Sequence, residues 1–143
     1  MEVSFEKVDG RGYVTDVPGY DALEINDNSG NLRSFYPTQL LALAMGSCSS
    51  SDVLSIMKKK RQVVERYRCS VIYDREPEHP KLLKDPLIHY QFWGNIDPEA
   101  AKRSVFLSLS KYCNVSITIK RAGIKLHYRI SINDRVVEEA PAP

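Results

Sequence analysis

The sequence has little of what marks several common classes of protein. Its charges nearly balance, with a formal net charge of +2 at pH 7, so the composition does not favour a nucleic-acid or membrane-surface partner. Its three cysteines are too few for the disulfide framework of a small secreted domain. Residues 1–10 lack the apolar core of a signal peptide, and no stretch reaches the length of a membrane-spanning segment. We therefore expect a cytoplasmic protein with neither nucleic acid nor membrane as a partner.

Length and patterning fit one domain. A chain of 143 residues with 43% hydrophobic content can bury a modest core, and no linker divides it. Short apolar alternations up to Ile25, separated by glycines and by Pro18-Gly19, are typical of strands joined by turns. We predict a single domain over residues 1–143 that begins with a β-meander.

A long apolar run from Pro37 to about Lys60 predicts a helix that is largely buried. Proline is favoured at the first helical position, the apolar residues come too densely for a half-exposed strand, and the cations of the Lys58–Arg61 run suit a helix end. The polar interruption around Cys48 leaves room for a second cap at the serines and Asp52. Because this helix is apolar most of the way round, one sheet of one chain cannot cover it, which predicts a homodimer.

The second half of the chain predicts strands near residues 66–73, 87–93 and 124–132, with a helix between the last two. That helix begins at Asp97, whose side chain suits an N-cap before Pro98, and it reaches Tyr112. A short helix follows Cys113, and the tail from Glu138 is expected to fray. Helices and strands do not alternate regularly, so we predict an α+β fold with a mainly antiparallel sheet packed on the long helix.

Two cysteines lie where a purely structural residue has little reason to be. Cys48 stands among seven small or polar residues, Gly46 to Asp52, inside the apolar helix, and Cys113 follows the second helix. Such a break gives up helix propensity and packing, which makes sense where a thiol must be reachable. The alternative is that both cysteines act as small buried hydrophobes. We favour chemistry over packing, because the local composition around Cys48 suits an accessible thiol better than a packed one.

The remaining candidate ligands do not form a recognisable site. Cys69 lies on the apolar face of a predicted strand, where packing is its expected role. His79, His89 and His127 lie on separate elements without ligand spacing to a cysteine. We therefore expect no metal and no bound cofactor.

Several segments together resemble the OsmC/Ohr superfamily of osmotically induced and organic-hydroperoxide-resistance proteins. The resemblance rests on Pro37 to Cys48, Asp52-Val53-Leu54, His79-Pro80 and Tyr112-Cys113. It implies an OsmC-like fold in which two chains form an intertwined homodimer with active sites at the subunit interface. In the peroxidase members the first cysteine attacks a peroxide and the second resolves it. The resemblance thus assigns these catalytic roles to Cys48 and Cys113, within disulfide reach of each other.

The resemblance also implies residues that activate the thiol. The peroxidase members use an arginine from the N-terminal strands and a glutamate directly after the helix-starting proline. Here Thr38 stands at the glutamate position, and either Arg11, which is flanked by glycines, or Arg33 is the candidate arginine. The Thr38 hydroxyl cannot hold a guanidinium through paired charged hydrogen bonds.

The activity that the resemblance implies is the reduction of a small organic hydroperoxide, with recycling by a dithiol reductant, in oxidative-stress defence. The departure at Thr38 favours a second hypothesis, a non-catalytic dimeric binding module whose thiols at most sense redox state. A third hypothesis, a thiol-linked metal or sulfur carrier, has too few ligands in two cysteines.

Overall fold

A computed structural model describes residues 1–143, which form two compact units, Met1–Leu41 and Ala42–Pro143. The first unit contains an antiparallel sheet of three short strands in the order β1 (Phe5–Val8), β2 (Gly12–Thr15) and β3 (Glu24–Ile25). Each strand pairs with the next along the chain, so the predicted β-meander is confirmed.

The second unit contains a sheet of four strands in the order β4 (Arg66–Arg75), β5 (Leu83–Trp93), β6 (His127–Ile132) and β7 (Arg135–Pro141). The outer pairs are antiparallel, whereas β5 and β6 run parallel. A parallel pair needs a long crossover, and the chain between β5 and β6 contains the helical segments that follow Asp97.

The tail prediction is wrong, because residues 135–141 form β7 instead of fraying. The strand pairs along β6, and its acidic side chains bind residues of that neighbour. Tyr128 Oη donates to Glu138 at 2.7 Å, and Arg129 Nε donates to Glu139 at 2.6 Å. A hairpin of this kind depends on cross-strand partners, which the polar composition of the tail did not reveal.

The helices are α1 (Pro37–Lys59), α2 (Pro98–Leu107) and α3 (Asn114–Arg121). Between α2 and α3 lies a π-helical turn, Ser108–Tyr112, where the sequence predicts ordinary helix. The predicted start of α2 is confirmed, since the Asp97 side chain accepts the Glu99 N–H and Pro98 follows the cap.

Helix α1 is continuous through its polar stretch, and the second cap expected there does not form. The serine hydroxyls bond back to carbonyls one turn earlier, from Ser47 to Leu43 at 2.7 Å and from Ser50 to Gly46 at 2.6 Å. Side-chain bonds of this type satisfy the hydroxyls without interrupting the helical ladder.

The buried part of α1 is smaller than its composition suggests. Its seven buried residues are Ala42, Met45, Gly46, Ser49, Ser50, Val53 and Met57, while Leu43 is half exposed. By length and composition α1 could also cross a membrane, contrary to the sequence-based expectation. The core helix of a folded domain meets the same criterion, and α1 supplies Met45, Val53 and Met57 to the core of the second unit.

Candidate active site

Cys48 and Cys113 are neighbours in the second unit. Cys48 is half-buried in the middle of α1, whereas Cys113 is fully buried directly before α3. Burial is the main cause that raises the pKa of the Cys113 thiol, and hydrogen bonding and charge from Cys48 raise it further. The two thiols therefore lie close enough for the charge on one to affect the other.

The Cys48 thiol has one further polar partner. Its sulfur donates to the side-chain oxygen of Asn114 at 3.3 Å. Asn114 is exposed and is the first residue of α3. The amide can turn over, so that its N–H group donates to the sulfur once the thiol has lost its proton.

The second thiol is held at the start of a helix. Cys113 is the N-cap of α3, where its sulfur accepts the Ser116 N–H at 3.4 Å and contacts the Ser116 hydroxyl at 3.1 Å. Both contacts with Ser116 lower the pKa of Cys113, against the larger effect of burial. The helix dipole also favours negative charge at this end.

A chain of hydroxyls fixes the π turn against α1. Ser108 donates to Asp52 Oδ2 at 3.1 Å, so the Ser49 hydroxyl, 2.8 Å from that of Ser108, is the donor to Ser108. Tyr90 on β5 completes the chain at 2.6 Å from Ser49, and burial raises the pKa of Tyr90 well above its usual range. The small polar residues beside Cys48 thus build a buried network, where the sequence suggested only access to the thiol.

The third cysteine lies in a different place. Cys69 on β4 lines an open cavity of about 400 Å³ together with Gly46, Ser50, Leu54 and Tyr67. Burial raises the pKa of Cys69, which Ser50 and Tyr67 lower through hydrogen bonds. Cys69 packs against the core cluster, which agrees with the packing role expected from its strand position.

The predicted activating residues all belong to the Met1–Leu41 unit. Arg11 Nε donates to Glu24 Oε1 at 2.6 Å, and both side chains are about half exposed. Arg33 is exposed and lines a shallow cavity with Glu24. Thr38 lies in the first turn of α1, ten residues before Cys48. Of the predicted site residues, Cys48 and Cys113 are therefore the pair that one unit brings together, and the arginine assignment stays a prediction.

Sequence reasoning missed Asn114, Ser116 and the network at Ser108. Asn114 directly follows Cys113, so the signal was a polar amide at a helix start beside a candidate thiol. Its contact with Cys48 depends on how α1 packs against α3, which no local pattern encodes. No group of three or more His, Cys, Asp or Glu side chains lies close enough together to hold a metal ion.

Comparison with known proteins shows which proteins this chain is similar to. A family model described as OsmC-like protein matches residues 29–135. Protein YhfA of Escherichia coli strain K12 is 28% identical over 123 residues, which cover 85% of this chain and 91% of that protein. A crystal structure of a hypothetical protein from Aquifex aeolicus VF5 has a TM-score of 0.78 at 28% identity, with 92% of this chain and 93% of that chain covered.

Solved structures that are named as organic hydroperoxide resistance proteins have a lower sequence identity to this chain. A putative organic hydroperoxide resistance protein from Vibrio cholerae, solved with captopril in one of its active sites, has a TM-score of 0.62 at 15% identity. The match covers 96% of this chain and 94% of that chain, and it shows a shared fold. Since the OsmC-like family model spans most of the sequence, the chain belongs to the OsmC-like family.

Proposed function

We propose that the chain is a thiol-dependent peroxide reductase of the OsmC/Ohr type, with Cys48 as the peroxidatic and Cys113 as the resolving cysteine. Membership of the OsmC-like family indicates a redox or peroxide-related role. The observation that carries the proposal is the pair of neighbouring thiols with unequal exposure, one half-buried and one fully buried. The more exposed thiol is the one that a peroxide can reach first.

The first step oxidises Cys48. Its thiolate attacks the terminal oxygen of a hydroperoxide, an S–O bond forms, the O–O bond breaks, and the alkoxide leaves and takes a proton from water. The products are a sulfenic acid on Cys48 and an alcohol. Asn114 suits this step, because its side chain already contacts the Cys48 sulfur and an amide N–H can stabilise the thiolate.

The second step protects the oxidised sulfur. The Cys113 thiolate attacks the sulfenic sulfur, an S–S bond forms, the S–O bond breaks, and hydroxide leaves and is protonated to water. A dithiol reductant then reduces the disulfide and returns both thiols. Burial of Cys113 supports this role, since a buried thiol is shielded from direct oxidation by peroxide.

An organic substrate suits the surroundings of the site. An open cavity of about 400 Å³ is lined by Asp52, one turn beyond Cys48 on α1, and by Tyr112, directly before Cys113. Ile56 and Leu107 line the same cavity. The apolar part of this lining can contact an alkyl or aryl group, beside the charged side chains of Lys59 and Lys60.

The test is catalytic turnover. Consumption of cumene hydroperoxide is followed with dihydrolipoate or dithiothreitol in excess, for wild type and for Cys48→Ser, Cys113→Ser and Cys69→Ser. The proposal expects multiple turnovers in wild type and Cys69→Ser, with loss of turnover in Cys48→Ser. A non-catalytic binding module would leave the rate of peroxide consumption at that of the dithiol alone. Equal rates of peroxide consumption in wild type and Cys48→Ser would contradict the peroxidatic role of Cys48.

A further inference from the structure

The π turn before Cys113 changes the hydrogen bonding of the preceding residues. The Cys113 N–H donates to the Ser108 carbonyl at 2.8 Å, five residues back. In an α-helix this N–H would bond the Leu109 carbonyl instead. The turn therefore deprives the carbonyl of a fully buried residue of its usual donor.

Lys120 on α3 bonds that carbonyl. Its ammonium group donates to the Leu109 carbonyl oxygen at 2.5 Å and also to the main-chain oxygen of Pro143. Leaving a buried carbonyl unbonded is costly, and a charged donor makes a strong replacement bond. The side chain thus links α3, which Cys113 caps, to the turn directly before Cys113.

The same ammonium group interacts electrostatically with the resolving thiol. Burial lowers the pKa of Lys120, and the charge of Cys113 raises it. Such coupling is reciprocal, so the Lys120 cation favours the thiolate of Cys113. This opposes the burial that otherwise keeps Cys113 protonated.

We propose that Lys120 is a positioning residue for the resolving step: it holds the π turn through the Leu109 carbonyl and places a cation near the Cys113 sulfur. The inference rests on the proposed peroxide reductase function. Lys120 does not contact the peroxide, and the residue that attacks the Cys48 sulfenic acid remains Cys113. Its removal therefore slows the formation of the disulfide while the oxidation of Cys48 keeps its rate.

The test separates the two steps in one experiment. Wild type, Lys120→Met, Lys120→Gln and Lys120→Arg are reduced, freed of dithiol and mixed with a slight excess of cumene hydroperoxide. Sulfenic acid and disulfide are then quantified over time by trapping with dimedone and by mass spectrometry. Lys111→Met is the matched control, since Lys111 is an exposed lysine in the π turn, over the ring of Tyr112.

We expect Lys120→Met to slow disulfide formation by about tenfold or more and to leave the first step unchanged. Lys120→Arg should restore most of the rate. Lys120→Gln should keep the bond to Leu109 but not the charge, and its disulfide rate should fall most at low pH. If Lys120→Met fails to fold, the rates of Lys120→Gln are used instead. An unchanged rate of disulfide formation in the variant that is used, or equal slowing of both steps, overturns the inference.

The proposed function fails in a different way. If wild type forms neither sulfenic acid nor disulfide on Cys48, the reductase proposal falls, and the role of Lys120 in resolution falls with it. If wild type forms both species and the Lys120 variants form the disulfide at the wild-type rate, the reductase proposal stands and the inference about Lys120 is wrong.

Discussion

The sulfur of Cys48 lies 3.3 Å from the side-chain oxygen of Asn114, so the middle of α1 contacts the first residue of α3 at the candidate nucleophile. A neutral amide can accept a hydrogen bond from the thiol through its oxygen or donate one to the thiolate through its N–H group. A carboxylate at this position can only repel the thiolate.

The first prediction tests that contact. Asn114→Asp should slow the alkylation of Cys48 by iodoacetamide at pH 7 by about tenfold, because the added negative charge disfavours the thiolate. The midpoint of the pH–rate profile should move to higher pH. The rate is measured for the Cys48 peptide by mass spectrometry, with Asn95→Asp, a change at an exposed loop position, as the control. Equal profiles for Asn114→Asp and wild type would show that Asn114 does not influence the sulfur.

The second prediction concerns the fit of α1 on β4. A Cβ added at Gly46 would lie 3.0 Å from Val71 Cγ2 and 3.2 Å from Cys69 Sγ. Gly46→Ala gains about 1 kcal/mol of helix propensity, but overpacking costs about 1–3 kcal/mol. We expect Gly46→Ala to lower the free energy of unfolding measured with urea. The same substitution should lower it less in a protein that already carries Val71→Ala. Ser55→Ala, at an exposed position of α1, should change little. If Gly46→Ala is more stable than wild type, β4 moves away from the added methyl group without a loss of stability.

The sequence predicts those elements whose signals are local. The start of α1 at Pro37 and the cap of α2 at Asp97 follow from residue preferences at helix ends. The π turn does not, because its freed carbonyl is satisfied by Lys120 from a later helix. Strand β7 was missed for a similar reason, since its polar residues are ordered by partners on β6.

The site divides in the same way. The composition around Cys48 indicates an accessible thiol, whereas its pairing with Cys113 follows only from the resemblance to a family, because sequence spacing does not encode a tertiary contact. In the sequence, the serines beside Cys48 suggest only access to the thiol. Ser49 is instead ordered by Tyr90 and Ser108, which lie more than 40 positions away along the chain.

The third prediction concerns pH. Burial is the main cause that lowers the pKa of His89, which lies 2.7 Å from the Ser131 hydroxyl, and the charge of Arg129 lowers it further while that of Glu139 raises it. The folded state thus binds this proton less tightly than the unfolded state. Its contribution to stability is complete above about pH 6.5 and is lost as the pH falls below that value. His89→Gln should remove this part of the pH dependence, as measured by urea unfolding between pH 5 and pH 8. Parallel stability curves for wild type and His89→Gln would contradict the assignment.

The fourth prediction is the oligomeric state. Helix α1 exposes Leu43, and much of its apolar surface is not buried by its own chain. A second copy would cover this surface. Multi-angle light scattering at micromolar concentration should give twice the chain mass of 16.3 kDa. A monomer at that concentration, with a circular dichroism spectrum that shows it to be folded, would refute the homodimer.

The central claim is that a peroxide oxygen is transferred to Cys48 and that Cys113 then removes it. One equivalent of cumene hydroperoxide is added to reduced wild type and to Cys113→Ser, and the modified cysteine is identified by mass spectrometry after trapping with dimedone. Wild type should lose two hydrogens as a disulfide between Cys48 and Cys113 within one chain, and Cys113→Ser should carry the dimedone adduct on Cys48. An adduct on Cys69, or a disulfide that includes Cys69, would contradict the account.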